Sequence, residues 1–404
     1  GGRFRVLATD ALWFELPPDR IATEPAEPRD SARMLVCKRS DPGFLEHRRV
    51  TDLPEVLSAT REPGRDPSSD LLVCNTSRVA RARLLGVRED TGGRVEGLYL
   101  RPSGLAHAGG VGEAWVVLLR ARRFKEGAPV RLLDRDGQPA PVVLRLLQRE
   151  SDEAGGWHVS VDTDAGSGVE ASAVLERYGR PPLPPYIVSA RKQRGESPDR
   201  AEDDARYQTV YADASRTGSV AAPTAGLHFT PGLLERLSAS GVSRASVVLH
   251  VGSGTFKPIE AGVVEDHDMH EERCSMPAAS IDAVRGARAV GGRVIAVGTT
   301  SARTLESYAI ALERRGEGAT PPEELGTRLL ITPGTHRWRW VDGMLTNFHL
   351  PRSTLLAMVA SRLDPPDAEP GSRAGLDRLL GLYREAIAHG YRFYSYGDAM
   401  LVLP

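Results

Sequence analysis

Between residues 82 and 161 six short apolar runs follow one another: Ala82–Val87, Val95–Leu100, Ala114–Leu119, Val130–Leu133, Val142–Leu147 and Trp157–Val161. Gly92-Gly93 and Asp136-Gly137 separate neighbouring runs, and Trp157, Val159 and Val161 alternate with His158 and Ser160. Period two between tight turns is the signature of half-buried strands joined as hairpins. No helical period crosses this stretch, which predicts a small antiparallel β-barrel. The glycine-rich segment from Pro102 to Glu113 reads as a long loop on it.

On either side the pattern changes. Met34–Cys37 and Leu71–Cys74 are apolar runs suited to buried strands. Ala171–Tyr178 predicts a short helix, the prolines of Gly179–Tyr186 a rigid connector, and the charged stretch Ser189–Asp204 a loop. Ala221–Thr230 reads as a short strand entering a small-residue turn. Thr230 can cap the helix that follows, Pro231 suits its first position, and Gly241 suits the left-handed position after it. A strand over Ala245–Val251 then delivers His250 to the loop Gly252-Ser-Gly-Thr-Phe256, so the unit predicts a β-loop-α-β crossover. A helix over Ile281–Val290, capped by Ser280 and Gly291, precedes a strand at Val294–Val297 and the loop Gly298-Thr-Thr-Ser301. The next helix carries Leu305, Tyr308, Ala309 and Leu312 on one face. Leu329–Ile331 predicts a strand, Ser353 a helix cap, and Leu379, Leu380, Tyr383, Ala386 and Ile387 one buried helix face. The last apolar run reads as a strand of the main sheet. Together these predict an α/β main domain with a mixed sheet over residues 1–76 and 165–404, and an inserted antiparallel β-barrel domain over 77–164.

Composition narrows the class. The chain has 404 residues, 41% hydrophobic and 26% charged, which is ordinary for a soluble protein, and no apolar run approaches the roughly 18 residues of a membrane span. Gly1-Gly2 is set aside as a trimmed or added start. Cys37, Cys74 and Cys274 are far apart and form no Cys-x-x-Cys pair, so they read as small buried apolar residues of a reducing cytoplasm. The net charge of −1 announces no nucleic acid. Local clusters, Arg78, Arg81, Arg83 and Arg88, then Arg120, Arg122, Arg123 and Lys125, are either solvated faces or phosphate contacts. Among them Arg78, Arg81, Arg83, Arg122 and Arg123 are the candidate RNA-binding residues.

The candidate chemistry lies in the second half. His228, His250, His267, His270 and His349 stand beside loops and strand ends, where imidazole serves proton transfer. His267-Asp-Met-His270 with Glu272 invites a metal, but its spacing matches no metalloprotease motif and no cysteine pair assists. The glycine loops lack both the Walker lysine and Gly-x-Gly-x-x-Gly, which disfavours nucleoside triphosphates and dinucleotides. A neutral or zwitterionic nucleoside suits them better. Arg303, just inside a helix N-terminus, can hold a carboxylate bidentately. Tyr396 and Asp398, in a glycine break before the last strand, can meet a ribose.

Seven long blocks resemble those of the S-adenosylmethionine:tRNA ribosyltransferase-isomerase family of queuosine biosynthesis, and they fall in family order. They are Tyr207–Tyr211, Ala221–Thr230, Leu249–Phe256, His267–Glu272, Ala296–Glu306, Thr346–Leu356 and Tyr391–Met400. Glu24–Asp30 and Gly179–Tyr186 also fit. The resemblance implies an α/β domain with an inserted barrel and a metal-free transfer and isomerisation of the ribosyl group of S-adenosylmethionine. The implied acceptor is 7-aminomethyl-7-deazaguanine in tRNA, and the implied products are epoxyqueuosine-tRNA, adenine and methionine. A cytoplasmic enzyme, monomeric or weakly self-associating and without a membrane partner, is expected. Within the blocks, the expected catalytic residues are His228 and His250, with Asp398 or Glu272 as acid or orienting partner. The expected substrate contacts are Tyr207, Gln208, Thr224, Ala225, Gly226, Leu227, Gly252, Gly254, Thr255 and Phe256. Thr299, Thr300, Arg303, Asn347, His349, Tyr396 and Gly397 complete the set. The chain departs from the family at Asn75–Arg83, where Arg81 replaces a proline and an acid is lost, and at Thr335–Trp340. A ribosyltransferase with a non-tRNA acceptor is therefore the alternative; a metal-dependent hydrolase and a non-catalytic RNA-binding module are the readings from other classes.

Overall fold

A computed structural model describes residues 6–64, 69–105, 114–120, 124–151, 155–163, 170–252, 258–316, 319–369 and 372–404. The chain opens with β1 (Arg33–Lys38), β2 (Leu45–Arg49), α1 (Leu53–Ala59), β3 (Leu71–Asn75) and β4 (Arg78–Val79). Then come β5 (Arg83–Arg88), β6 (Arg94–Pro102), β7 (Trp115–Arg120), β8 (Pro129–Leu133), β9 (Pro139–Arg149), β10 (Gly156–Thr163) and α2 (Ala171–Tyr178). The next stretch holds α3 (Pro185–Gln193), α4 (Asp203–Arg206), β11 (Thr217–Ser219), α5 (Pro231–Ala239), β12 (Ser243–Leu249) and β13 (Glu272–Ser275). Last are α6 (Ala278–Ala289), β14 (Val294–Val297), α7 (Thr299–Arg315), β15 (Leu325–Thr327), β16 (Gly343–Asn347), α8 (Thr354–Arg362), α9 (Ala374–Ala388) and β17 (Ala399–Leu403).

Two compact units result. One holds Gly1–Arg78, Pro184–Arg200 and Arg206–Pro404, the other Val79–Leu183 with Ala201–Ala205. In the first, nine strands of the described residues form a mixed sheet in the order β15-β13-β12-β3-β14-β16-β17-β1-β2. β12, β3, β14 and β16 run parallel, β17 is antiparallel to β16, and β1 is parallel to β17. Both faces are covered, so successive residues of one strand enter different cores. Leu35, Val73 and Ala296 pack with α6, α7, α8 and α9, whereas Val36, Cys74 and Val297 pack with α1 and α5.

The second unit is the expected barrel, closed as β10-β7-β6-β5-β8-β9. Val174, Leu175 and Tyr178 of α2 join Trp115, Val117 and Trp157 in its core. α2 therefore packs with the barrel, although it lies past residue 164, where the sequence reading closed that domain.

Several local expectations change. β11 lies outside the nine-stranded sheet, so the Ala221–Thr230 unit is no crossover; the turn there is a 3-10 helix, Thr224–His228. Thr230 does cap α5, accepting from Leu233 N at 3.1 Å. Ser280 does not cap α6; its hydroxyl bonds Ser246 O at 2.8 Å and fastens the helix to β12. The third sheet strand of the late region is Leu325–Thr327, not Leu329–Ile331, and α3 occupies the start of the expected 189–204 loop. All three cysteines are buried and free, and burial pushes each thiol up to about 12.

Candidate active site

The loops after β3, β12, β14 and β16, and the segment before β17, gather at one edge of the sheet, the carboxyl end of its parallel strands. Those after β12, β14 and β16, with the segment before β17, border a cleft that is partly open to solvent and has a cavity volume of about 40 Å³. Its lining includes Ala222–Ala225, Val251, Gly298–Thr300, Thr346–Leu350, Leu355, Tyr186, Tyr394 and Ser395. Among the described lining residues there is no Asp, Glu, Lys or Arg.

Asn75 ties the edge together from below. It is fully buried; its amide donates to Leu249 O at 3.0 Å and Thr300 Oγ1 at 3.2 Å, and its Oδ1 accepts from Leu249 N at 3.2 Å. Without this side chain the last residue of β12 would leave both backbone groups unpaired, which costs about 1–3 kcal/mol per group. Thr299 and Thr300 open α7, so the unpaired N–H groups and positive dipole end of a long helix border the cleft. Gly298, at φ +88°, makes the turn that starts this helix.

On the opposite wall Thr224 donates to Asn347 Oδ1 at 2.8 Å, and Asn347 Nδ2 donates to Tyr394 O at 3.1 Å. Tyr394 holds a left-handed backbone at φ +71°, a conformation costing about 1–3 kcal/mol for a residue of this kind. Its N–H is fixed on Phe348 O at 3.0 Å, and its ring packs 4.6 Å from that of Tyr186, whose hydroxyl bonds Ser395 Oγ. Burial pushes the Tyr394 phenol up to about 12 and raises that of Tyr186, so both remain protonated donors. Neither Tyr186 nor Ser395 was among the residues expected from sequence; only the proline block that positions Tyr186 signalled it.

The histidines differ in setting. His349 lines the cleft with Nε2 2.8 Å from Thr346 Oγ1, and burial lowers its pKa to about 3, so it is neutral. His228 is buried beneath the floor. Its Nδ1 lies 2.9 Å from Ala225 O and its Nε2 2.9 Å from Gly397 O. Both partners are acceptors, so only an imidazolium satisfies both, yet burial outweighs them and holds the pKa below its ordinary value. The ring joins two loops and does not reach the cleft lining. His250 lies just past β12, half-buried; burial lowers its pKa, and its Nδ1 has no hydrogen-bond partner among the described residues.

Three expected contacts turn inward. Asp398 accepts from Arg33 N at 3.0 Å and Arg392 N at 2.8 Å and pairs with the Arg33 guanidinium at 3.2 Å. Its carboxylate holds the strand entry. Arg303, expected to take a ligand carboxylate bidentately, instead pairs with the chain's own Glu272, both buried. The other Glu272 oxygen accepts from Gly252 N at 3.0 Å, so this pair fixes the start of the glycine loop. Gly254, Thr255 and Phe256 of that loop lie outside the described residues. Gly226 and Leu227 sit behind Ala225, and a Cβ on Gly226 would lie 2.1 Å from Tyr211 Oη. Tyr207 and Tyr396 are buried and meet edge to face at 5.9 Å, and Gln208 O accepts from Arg29.

Of the candidate RNA-binding residues, Arg78 is exposed. Arg81 pairs with Asp204 and Glu176, and Arg83, buried, with Glu96 at 2.7 Å. Arg122 and Arg123 lie outside the described residues. His267 and His270 do not converge with Glu272 on a common point; one metal-compatible group, elsewhere, is present among the described residues. No described helix is long and apolar enough to cross a membrane.

The profile of the family described as Queuosine biosynthesis protein matches residues 9–402. S-adenosylmethionine:tRNA ribosyltransferase-isomerase of Gloeobacter violaceus is 44% identical over 99% of this chain and 97% of its own. The protein of the same name from Anaeromyxobacter dehalogenans is 46% identical over 96% and 97%. A crystal structure of S-adenosylmethionine tRNA ribosyltransferase from Thermotoga maritima is 31% identical, covers 97% of this chain and 100% of that one, and has a TM-score of 0.47. The chain belongs to the queuosine biosynthesis protein family.

Proposed function

We propose that this member of the queuosine biosynthesis protein family transfers and isomerises the ribosyl group of S-adenosylmethionine onto 7-aminomethyl-7-deazaguanine in tRNA. Epoxyqueuosine-tRNA, adenine and methionine are the products. The observation that carries the reading is the cleft at the carboxyl edge of the sheet, lined from five of the seven long family blocks and free of charged side chains among its described lining. A zwitterionic nucleoside fits such a lining. Its carboxylate suits the N–H groups at the start of α7, and its sulfonium suits the faces of Tyr186 and Tyr394. Its base suits the hydroxyls of Thr224 and Thr346 and the Tyr394–Ser395 segment.

The reaction needs a base for the proton beside the sulfonium, an aminomethyl attack at the ribose 1′ carbon, and departure of adenine. Of the four residues expected to be catalytic, His250, outside the cleft lining but next to the lining residue Val251, is the one whose buried ring nitrogen has no hydrogen-bond partner among the described residues, and it is neutral at physiological pH. We assign it the proton transfer. Glu272, through Gly252, and Asp398 and His228, through the Gly397 loop, act as positioning residues. Arg78 is the phosphate contact that the exposure of the arginines supports.

Adenine release from S-adenosylmethionine, measured with and without tRNA bearing the aminomethyl base, tests the reading. Release that depends on that tRNA is expected; release that ignores it and requires a small acceptor overturns the assignment of acceptor.

A further inference from the structure

At the outer edge of the nine-stranded sheet, His47 of β2 meets the C-terminal turn of α9. His47 Nε2 lies 3.5 Å from Glu385 Oε1, and His389 Nδ1 lies 3.1 Å from the same oxygen. One ligand atom from each of the three side chains falls within 4.8 Å of the others. None of them lines the cleft. We propose that His47, Glu385 and His389 bind a divalent ion of the zinc type, a site independent of the ribosyl transfer.

The spacing is that of a metal site. Two donors about 2.0–2.1 Å from a tetrahedral zinc ion stand about 3.3 Å apart; the two separations to the shared Glu385 oxygen bracket that value, and the two ring nitrogens lie within 4.8 Å of each other. Two imidazoles and one carboxylate leave a fourth position for water. Glu385 and His389 are four residues apart on one helix, so both side chains rise from the same face. His47 has the outer support that metal-binding histidines have: its Nδ1 lies 3.0 Å from Tyr391 Oη. When Nδ1–H donates to Tyr391 Oη, the tautomer that metal binding requires, the lone pair lies on Nε2, the nitrogen turned toward Glu385. The two rings lie 4.5 Å apart, and the His389 side chain is 53% exposed, so the group is reached from solvent.

Proton accounting is simple. The ion takes both rings neutral and Glu385 ionised, and any proton shared among them goes to solvent. At His389 the Nδ1 proton, which now faces Glu385 O at 3.0 Å, moves to Nε2 as Nδ1 becomes the ligand atom. The bound ion then bridges an edge strand and a helix end that only side chains otherwise join.

Zinc titration of the full chain, freed of any histidine tag and followed by competition with a chromogenic chelator, decides the matter. One ion per chain at micromolar affinity is expected, with a rise in Tm. His47→Ala and His389→Ala should each weaken binding at least about 30-fold, and Tyr391→Phe about 10-fold, with unchanged circular dichroism. The double variant His267→Ala/His270→Ala should bind as the parent does. The proposal is overturned if the parent binds no stoichiometric zinc, if either single histidine variant binds like it, or if the His267/His270 variant loses the ion.

Discussion

His228 and His250 stand in neighbouring glycine loops, and at the scale of single residues they behave as opposites. His228 spends both nitrogens on backbone carbonyls, whereas His250 keeps Nδ1 open among the described residues. His250→Ala should therefore lower kcat by about 10²–10⁴-fold with little change in Tm, read from initial adenine release. Because its pKa lies below the ordinary value near 6.5, the base form persists on mild acidification, and the parent rate should fall only as pH drops through that lowered pKa. His228→Ala removes the one N–H that the neutral ring donates to Ala225 O or Gly397 O and should cost about 1–3 kcal/mol, seen in urea unfolding. A His228→Ala protein with parental stability would remove the clip between the two loops. Glu272→Gln leaves the Arg303 charge buried and underpaired; about 3–5 kcal/mol should be lost. Sequence picked out all three residues because histidines and acids beside glycines are visible in a string. Whether such a side chain points at a ligand or at its own backbone is decided by packing between segments from 20 to 169 residues apart, which spacing does not carry.

At the scale of elements, the strands and helices with a strong period were legible. The six barrel strands, α7, α9 and β17 lie where alternation or a buried face demanded, since each places apolar residues on one side or in one core. β2, at the sheet edge, and β13, one strand in from the other edge, were missed because Leu45–Arg49 and Glu272–Ser275 carry charges and lack an apolar run. Ser280 misled for a related reason: a serine before a helix also serves when its hydroxyl finds a strand instead. The departure at Thr335–Trp340 gains an explanation here. Glu306 of α7, fully buried, accepts from the N–H groups of Arg339, Trp340 and Val341 and from His336 Nε2 at 3.1 Å. One carboxylate thus organises a segment with no regular structure. Glu306→Gln should speed amide hydrogen exchange across residues 336–341 by tenfold or more, while exchange in the barrel stays as it was; equal protection in the variant would show the loop held by its tryptophans alone.

For the molecule as a whole, two buried histidines and one half-buried one tilt stability with pH. His349 has its pKa lowered to about 3, and His228 and His250 are lowered as well. Between the folded and unfolded pKa values the unfolded chain binds more protons, so stability is fully present above about 6.5 and declines as pH falls. His349 alone should lose about 2 kcal/mol between pH 6.5 and pH 5, and His349→Gln should flatten that slope in thermal melts across the range. The two-unit division was visible as a switch from strands alone to alternating strands and helices, whereas the sheet order was not, since periodicity names strands without naming their neighbours. That order governs the timing of assembly. Met34 pairs with Ala399 and Lys38 with Leu403, while the barrel strands find partners close by in the chain, as Leu84 does in Gly97. At a synthesis rate of about 5–20 residues per second, β1 waits roughly 20–70 s for β17 to leave the ribosome. The barrel has all its strands long before then, so on a nascent chain the inserted unit is complete while the sheet that encloses the cleft still lacks its first strand's partner.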